Sequence, residues 1–131
     1  MAGKSGTSLT KKLGIMEGHR VEVQRAPDGF ALDLPDGARA ARSAHGTVDV
    51  VLAFFTERAA LADEIRRLRN LMEPASGLWI AWPKKSARTG SDLTEDVVRE
   101  IALAHQLADS KVCAIDETWS GLRLVIRLKD R

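Results

Sequence analysis

The chain has 131 residues, 44% of them apolar and 29% charged, with a formal net charge of +2. That is enough apolar sequence for one domain with one core, and charges of both signs interspersed along it exclude a disordered chain. The charge is uneven, because the first twelve residues hold three lysines and no acid and the last eleven hold four bases and one acid, yet no basic run is interleaved with aromatics and nucleic acid is not an expected partner.

The single cysteine, Cys113, rules out an internal disulfide and fits a reducing compartment. Met1 to Lys12 has no apolar h-region, and the longest apolar run, around Val50 to Phe55, is far short of the ~20 residues of a membrane span. The expectation is a cytoplasmic protein that no membrane holds.

Residues 1–12 read as a tail and the start of a short helix, and 13–131 as a single α/β domain. Thr7 or Ser8 caps that helix, which Gly14 ends. Val21 and Val23 mark a short strand stopped by Ala26-Pro27-Asp28-Gly29, a strong turn signal. Phe30 to Leu34 is a brief apolar segment closed by a second Pro-Asp-Gly, Ala38 to Ser43 is an ambiguous edge strand, and His45-Gly46 is a loop. Val48 to Phe55 is nearly continuous in apolar residues, as a strand buried on both faces must be. Thr56 is suited to cap a helix running to about Met72, with Leu61, Ile65, Leu68 and Met72 on one face and an i,i+4 pair in Asp63 and Arg67.

Pro74 and Gly77 introduce a strand over Leu78 to Trp82, and Lys84 to Gly90 is a basic loop. Ser91-Asp92-Leu93-Thr94-Glu95 has the form of a capping box with Asp92 as the cap, opening a helix to about Ala108. Lys111 to Ile115 and Leu122 to Leu128 close the chain as an antiparallel hairpin around Asp116 to Gly121, the last strand leaving a pairable edge and so a monomer or a homodimer. Alternating strands and helices require parallel strands with right-handed crossovers.

This order resembles the C-terminal half of class I S-adenosylmethionine methyltransferases. Gly14 to Val21 is similar to the phrase leading into their first strand, Val48-Asp49-Val50-Val51-Leu52 to their fourth, and Leu71 to Gly77 to the turn before their fifth. The resemblance implies an α/β fold, a three-layer Rossmann-like mixed sheet that is mostly parallel and ends in an antiparallel hairpin. It breaks at the cofactor. The turn after the first strand, Gln24-Arg25-Ala26-Pro27-Asp28-Gly29, keeps one glycine and gains a proline, where the family has a Gly-rich loop. The stretch between Gly29 and Val48 is also too short for two further helix–strand units, so the cofactor half reads as truncated and no cofactor is expected. Ala81-Trp82-Pro83-Lys84-Lys85, Asp92 to Glu100 and Lys111 to Arg123 are similar to phrases of a small family of high-GC bacteria catalogued as a domain of unknown function, a resemblance that implies no activity.

One patch follows from the topology. Loops after parallel strands emerge on the sheet's C-terminal edge, where ligands of open α/β sheets bind. There Trp82, Lys84, Lys85, Asp92, Asp116 and Trp119 are expected together, with Arg88 and Glu117 beside them and Arg123 on the strand that follows. Lysines near a helix N-terminus suit an anion, and tryptophans suit a ring or a partner's side chain. The competing structural reading puts Trp82 in the core, Trp119 over the hairpin and Lys84 in a pair with Asp116 or Glu117. His19, His45 and His105 have no metal-ligand spacing, and no residue is nominated as catalytic. The leading expectation is therefore a non-catalytic or regulatory binding module that takes an anionic small molecule or a protein partner at this patch. The alternatives are a divergent S-adenosylmethionine-type transferase and a nucleic-acid-associated protein.

Overall fold

An apolar run without polar alternation has no face to give to water, and the strand it forms lies in the middle of the sheet. This is β3 (Val48–Phe54), buried along nearly its whole length. The computed structural model describes residues 8–40, 48–87 and 89–130. In it, β3 runs parallel to β1 (Arg20–Gln24) on one side and to β4 (Met72–Pro83) on the other. The two-residue β2 (Arg39–Ala40) extends β1 in parallel, and β6 (Trp119–Ile126) lies antiparallel between β4 and β5 (Leu107–Ala114). The order is β2-β1-β3-β4-β6-β5. Three of the five junctions are parallel and two antiparallel, so the sheet is mixed, as expected, but less parallel in its pairings than the expected mostly parallel one. The insertion of β6 between β4 and β5 is the reason. It also removes β6 from the edge, which β5 occupies. The end of the ambiguous 38–43 segment, the His45-Gly46 loop and Arg88 lie outside the described residues.

Two cores form, one on each face. Helices α2 (Arg58–Arg69) and α3 (Glu95–Leu103) cover one face with Leu61, Ile65, Leu68, Val98 and Ile101. The other face carries the short α1 (Leu9–Lys12) and the irregular chain from Phe30 to Ala38 in place of helices. Trp79 is fully buried at the centre of that second core, its Nε1–H donating to the Leu13 carbonyl at 3.0 Å. The described part of the stretch between Gly29 and Val48, residues 30–40, is loop except for the two-residue β2.

Several boundaries move from where local signals put them. Thr56 does not cap α2: Glu57 is the N-cap residue and makes no side-chain cap bond, while the Thr56 carbonyl accepts from Ser91 Oγ at 2.7 Å. Arg67 pairs with Glu64, not Asp63, and its Nη2 also donates to Gln24 Oε1 at 2.7 Å. Met72 is not helical. It opens β4, whose Glu73-Pro74-Ala75 loops out opposite Val48 and Val50, and Ser76 closes the bulge by donating to the Val48 carbonyl at 2.6 Å and accepting from Glu73 N–H at 2.8 Å.

α3 starts after Thr94, whose hydroxyl accepts from Val97 N–H, and not after Asp92. It ends at Leu103 because Gln106 takes a left-handed φ of 59° and turns the chain into β5 four residues earlier than the sequence suggested. β5 carries a bulge between Asp109 and Lys111, which interrupts the edge. Among the described residues, no helix is long and apolar enough to cross a membrane.

Candidate functional site

Strands β1, β3, β4 and β5 point the same way, so their C-terminal ends share one edge of the sheet. β1 and β3 are neighbours whose connections leave to opposite faces, the switch point at which open α/β sheets bind ligands. The chain leaves β1 through Arg25 at a left-handed φ of 61°. Arg25 Nε donates to the Phe54 carbonyl at 3.1 Å, and its guanidinium lies 4.7 Å from the centre of the Phe55 ring. Phe54 turns to the opposite face, where Phe30 and Trp119 meet it edge-on at 4.9 and 5.0 Å.

Below this edge lies the residue that sequence reasoning missed. Glu22, in the middle of β1, is only 3% exposed. Gln24 Nε2 donates to its Oε2, and Arg67 in turn holds Gln24, but Glu22 Oε1 is buried with no partner among the described residues. Buried polar atoms are nearly always satisfied, so an orphan carboxyl oxygen in a core strand calls for a reason. The signal in the sequence was the acid itself: Val21-Glu22-Val23-Gln24 reads as a strand with one solvated face, and the assembled fold buries the acid on it.

The expected patch is brought together in part. Lys84 is half-buried at the end of β4, and its N–H donates to the Thr118 carbonyl at 2.8 Å, joining the basic loop to the hairpin turn. Lys85 is exposed, in a single 3-10 turn (Lys85–Ala87). The two indoles separate. Trp82 is 6% exposed in the core under α2 and α3, while Trp119 packs on the opposite face. Asp116 Oδ1 accepts from Thr118 and Trp119 N–H groups at 2.8 and 2.9 Å and so fixes the hairpin turn. Glu117 is exposed in that turn.

Asp92 serves α2, not its own helix, accepting the Arg58 N–H at 2.7 Å. Arg123 sits within β6 opposite Trp79, with its guanidinium beside Gly77 and Nη1 donating to Ser110 Oγ at 3.1 Å. It lies four residues from the edge along β6, so it does not join the patch.

Two clefts open at this edge. One of about 160 Å³ lies between Lys84-Lys85 and the 89–94 segment, and one of about 290 Å³ lies between the Pro27–Ala31 turn and Ile115-Asp116. The second is near the lower end of the ~300–1,000 Å³ typical of small-molecule sites. The exposed carboxylates of Asp28 and Asp116 face it from two sides. Among the described residues no group of histidine, cysteine or carboxylate side chains gathers to hold a metal ion.

No family model and no curated protein matches the chain. Solved structures do. A SAM-dependent methyltransferase from Aquifex aeolicus matches over 91% of this chain and 88% of its own, at 16% identity and a TM-score of 0.68. Magnesium protoporphyrin IX methyltransferase from Synechocystis PCC 6803, with bound SAM, matches over 91% of this chain and 74% of its own, at 9% identity and a TM-score of 0.58. A ribosomal protein L11 methylase from Lactobacillus delbrueckii subsp. bulgaricus matches over 91% and 75%, at 8% identity and a TM-score of 0.54.

These neighbours overturn the expectation of a non-catalytic binding module. They favour the transferase alternative, because the sheet that carries these residues is the one on which such enzymes are built, and the likeness extends over 91% of the chain. At these identities the likeness is one of architecture: the chain has the α/β fold of SAM-dependent methyltransferases.

Proposed function

We propose that the chain is a divergent S-adenosylmethionine-type transferase whose cofactor lies across the C-terminal edge of β1 and β3. The observation that carries the reading is Glu22. A carboxyl oxygen buried without a partner costs about 1–3 kcal/mol, and it sits two residues below the switch point where this architecture accepts ligands. A group bearing N–H or O–H donors, as the amino acid and ribose parts of S-adenosylmethionine do, fits that oxygen. Gln24, which already donates to Oε2, would orient the carboxyl toward it. Asp28 and Asp116, across the larger cleft, offer negative charge to a sulfonium or an ammonium, and Phe30 and Ile115 offer apolar walls.

S-adenosylmethionine supplies, when bound, an electrophilic methyl group. The protein's part is to bind, orient and shield, and no residue is assigned as a base. Two features of the sequence set the chain apart from such enzymes. Pro27 removes a backbone donor from the turn after β1, and no acid stands between Asp36 and Asp49 to meet ribose hydroxyls at the end of β2. Lys84 and Lys85, at the neighbouring cleft, are the residues we assign to an anionic acceptor.

Thermal unfolding in the presence of S-adenosylmethionine and S-adenosylhomocysteine tests the proposal. Ligand at a hundredfold excess over its Kd stabilises the fold by about 2.7 kcal/mol, and the midpoint rises with ligand concentration. An unchanged midpoint with both compounds at millimolar concentration overturns it.

A further inference from the structure

Arg25 stands at the switch point in a conformation that favours glycine, with φ at 61°. Strain of this kind persists where the surroundings over-determine the residue, and it clusters at ligand sites. Here the hydrogen bond to the Phe54 carbonyl and the Phe55 ring hold the guanidinium on the C-terminal end of β3, on the face that α2 covers. Neither contact neutralises it. Among the described residues Arg25 forms no ion pair, and its one side-chain hydrogen bond uses Nε and leaves both Nη groups.

Glu22, Asp28 and Glu57 are the acids nearest to Arg25 along β1 and after β3, and none of them pairs with it. α2 has no acid in its first turn, Glu57 makes no cap bond there, and Asp92 answers a single N–H, that of Arg58. β1 and β4 flank β3, so the loops carrying Arg25 and Lys84 leave the edge about 10 Å apart, two strand spacings.

We infer that Arg25 selects a ligand group with oxyanion oxygens, a carboxylate or a phosphate, bound at the C-terminal end of β3. A planar guanidinium with free Nη groups presents the fork that pairs such a group in a bidentate manner. The inference rests on the proposed cofactor site for its location only. The oxyanion belongs either to the cofactor's own amino acid part or to the acceptor.

Nitrogen-15 NMR titrations with inorganic phosphate, S-adenosylhomocysteine and 5′-methylthioadenosine, which lacks the carboxylate, test it on the wild type and on Arg25→Gly. That variant keeps the left-handed turn without strain and removes the guanidinium together with its stem, its bond to the Phe54 carbonyl and its contact with the Phe55 ring. Phosphate is expected to shift the Arg25, Phe55 and Thr56 amides saturably in the wild type, and about tenfold more weakly in Arg25→Gly. If the cofactor supplies the oxyanion, Arg25→Gly also weakens S-adenosylhomocysteine and leaves 5′-methylthioadenosine unchanged; if the acceptor supplies it, both nucleosides bind as before. Equal phosphate responses in the two proteins, or none in the wild type, overturn the inference. A phosphate response that is lost in Arg25→Gly, with neither nucleoside bound by the wild type, upholds it and overturns the cofactor reading instead.

Discussion

Glu22→Leu separates a residue kept for function from one kept for stability. Glu22 is 3% exposed, pairs across β1 with the fully buried Val51, and leaves Oε1 without a partner. Replacing it with an apolar residue of similar size removes the orphan, worth about 1–3 kcal/mol, and forfeits the Gln24 bond, worth about 1 kcal/mol on a half-buried partner. Burying the leucine in its place adds roughly 1.5 kcal/mol or more. The net is a stabilisation of about 2 kcal/mol, which for a domain of this length raises Tm by roughly 6 °C. Urea unfolding read by tryptophan fluorescence measures the free energy, and calorimetry measures the midpoint. The same variant is expected to lose the rise in Tm that S-adenosylhomocysteine gives the wild type. A urea midpoint below that of the wild type refutes the reasoning, because it means that the carboxyl is an integral part of the core.

Other expectations follow from single contacts. A methyl group at Gly121 would lie 2.8 Å from Ile115 Cδ1 and 3.2 Å from Trp79 Cε3, both fixed in the core, so Gly121→Ala costs about 1–3 kcal/mol by urea unfolding. At Gly77 the clash is with the movable end of Arg123, and Gly77→Ala is the milder change, under about 1 kcal/mol. Asp92→Ala removes the acceptor of the Arg58 N–H and lowers stability by about 1 kcal/mol, although Asp92 is not part of α2. Burial pushes the Cys113 thiol above its ordinary pKa, against the opposing pull of Lys12 and Lys111. The folded state therefore holds the proton longer than the unfolded chain does. This contribution to stability is complete below the ordinary thiol pKa and is lost as pH rises through the raised one; alkylation of native Cys113 at neutral pH is expected to be slower than that of the denatured chain.

The sheet was legible where the chain's own pattern forced it. Val48 to Phe54 has no polar face, and Leu61, Ile65 and Leu68 have one apolar face, so β3 and α2 follow from periodicity alone. What was not legible depended on partners distant in sequence. Asp92 and Thr94 both stand where a helix cap is wanted, and the choice between them is settled by the N-terminus of α2, 34 residues earlier, which takes Asp92. Ala108 fits the apolar stripe of α3, and only the turn at Gln106 sends it into β5.

The loops of Trp82 and Trp119 share an edge, which by itself suggests one patch. The register that sets Trp119 opposite Pro83, and so puts the two indoles on opposite faces, is a property of the assembled sheet. Glu22 is the sharpest case, since an alternating V-E-V-Q strand gives no sign that its polar residue will be buried.

The most direct measurement is a map of where S-adenosylhomocysteine touches the protein, read from amide shifts of the nitrogen-15-labelled chain. The expected shifts gather at Glu22 to Gly29, Thr56 to Arg58 and Asp116 to Thr118, at the C-terminal ends of β1, β3 and β5. No shifts at saturating ligand, or shifts confined to the cleft of about 670 Å³ beside α1 that Thr10, Met16 and Asp33 line, would contradict a cofactor site at the β1–β3 edge.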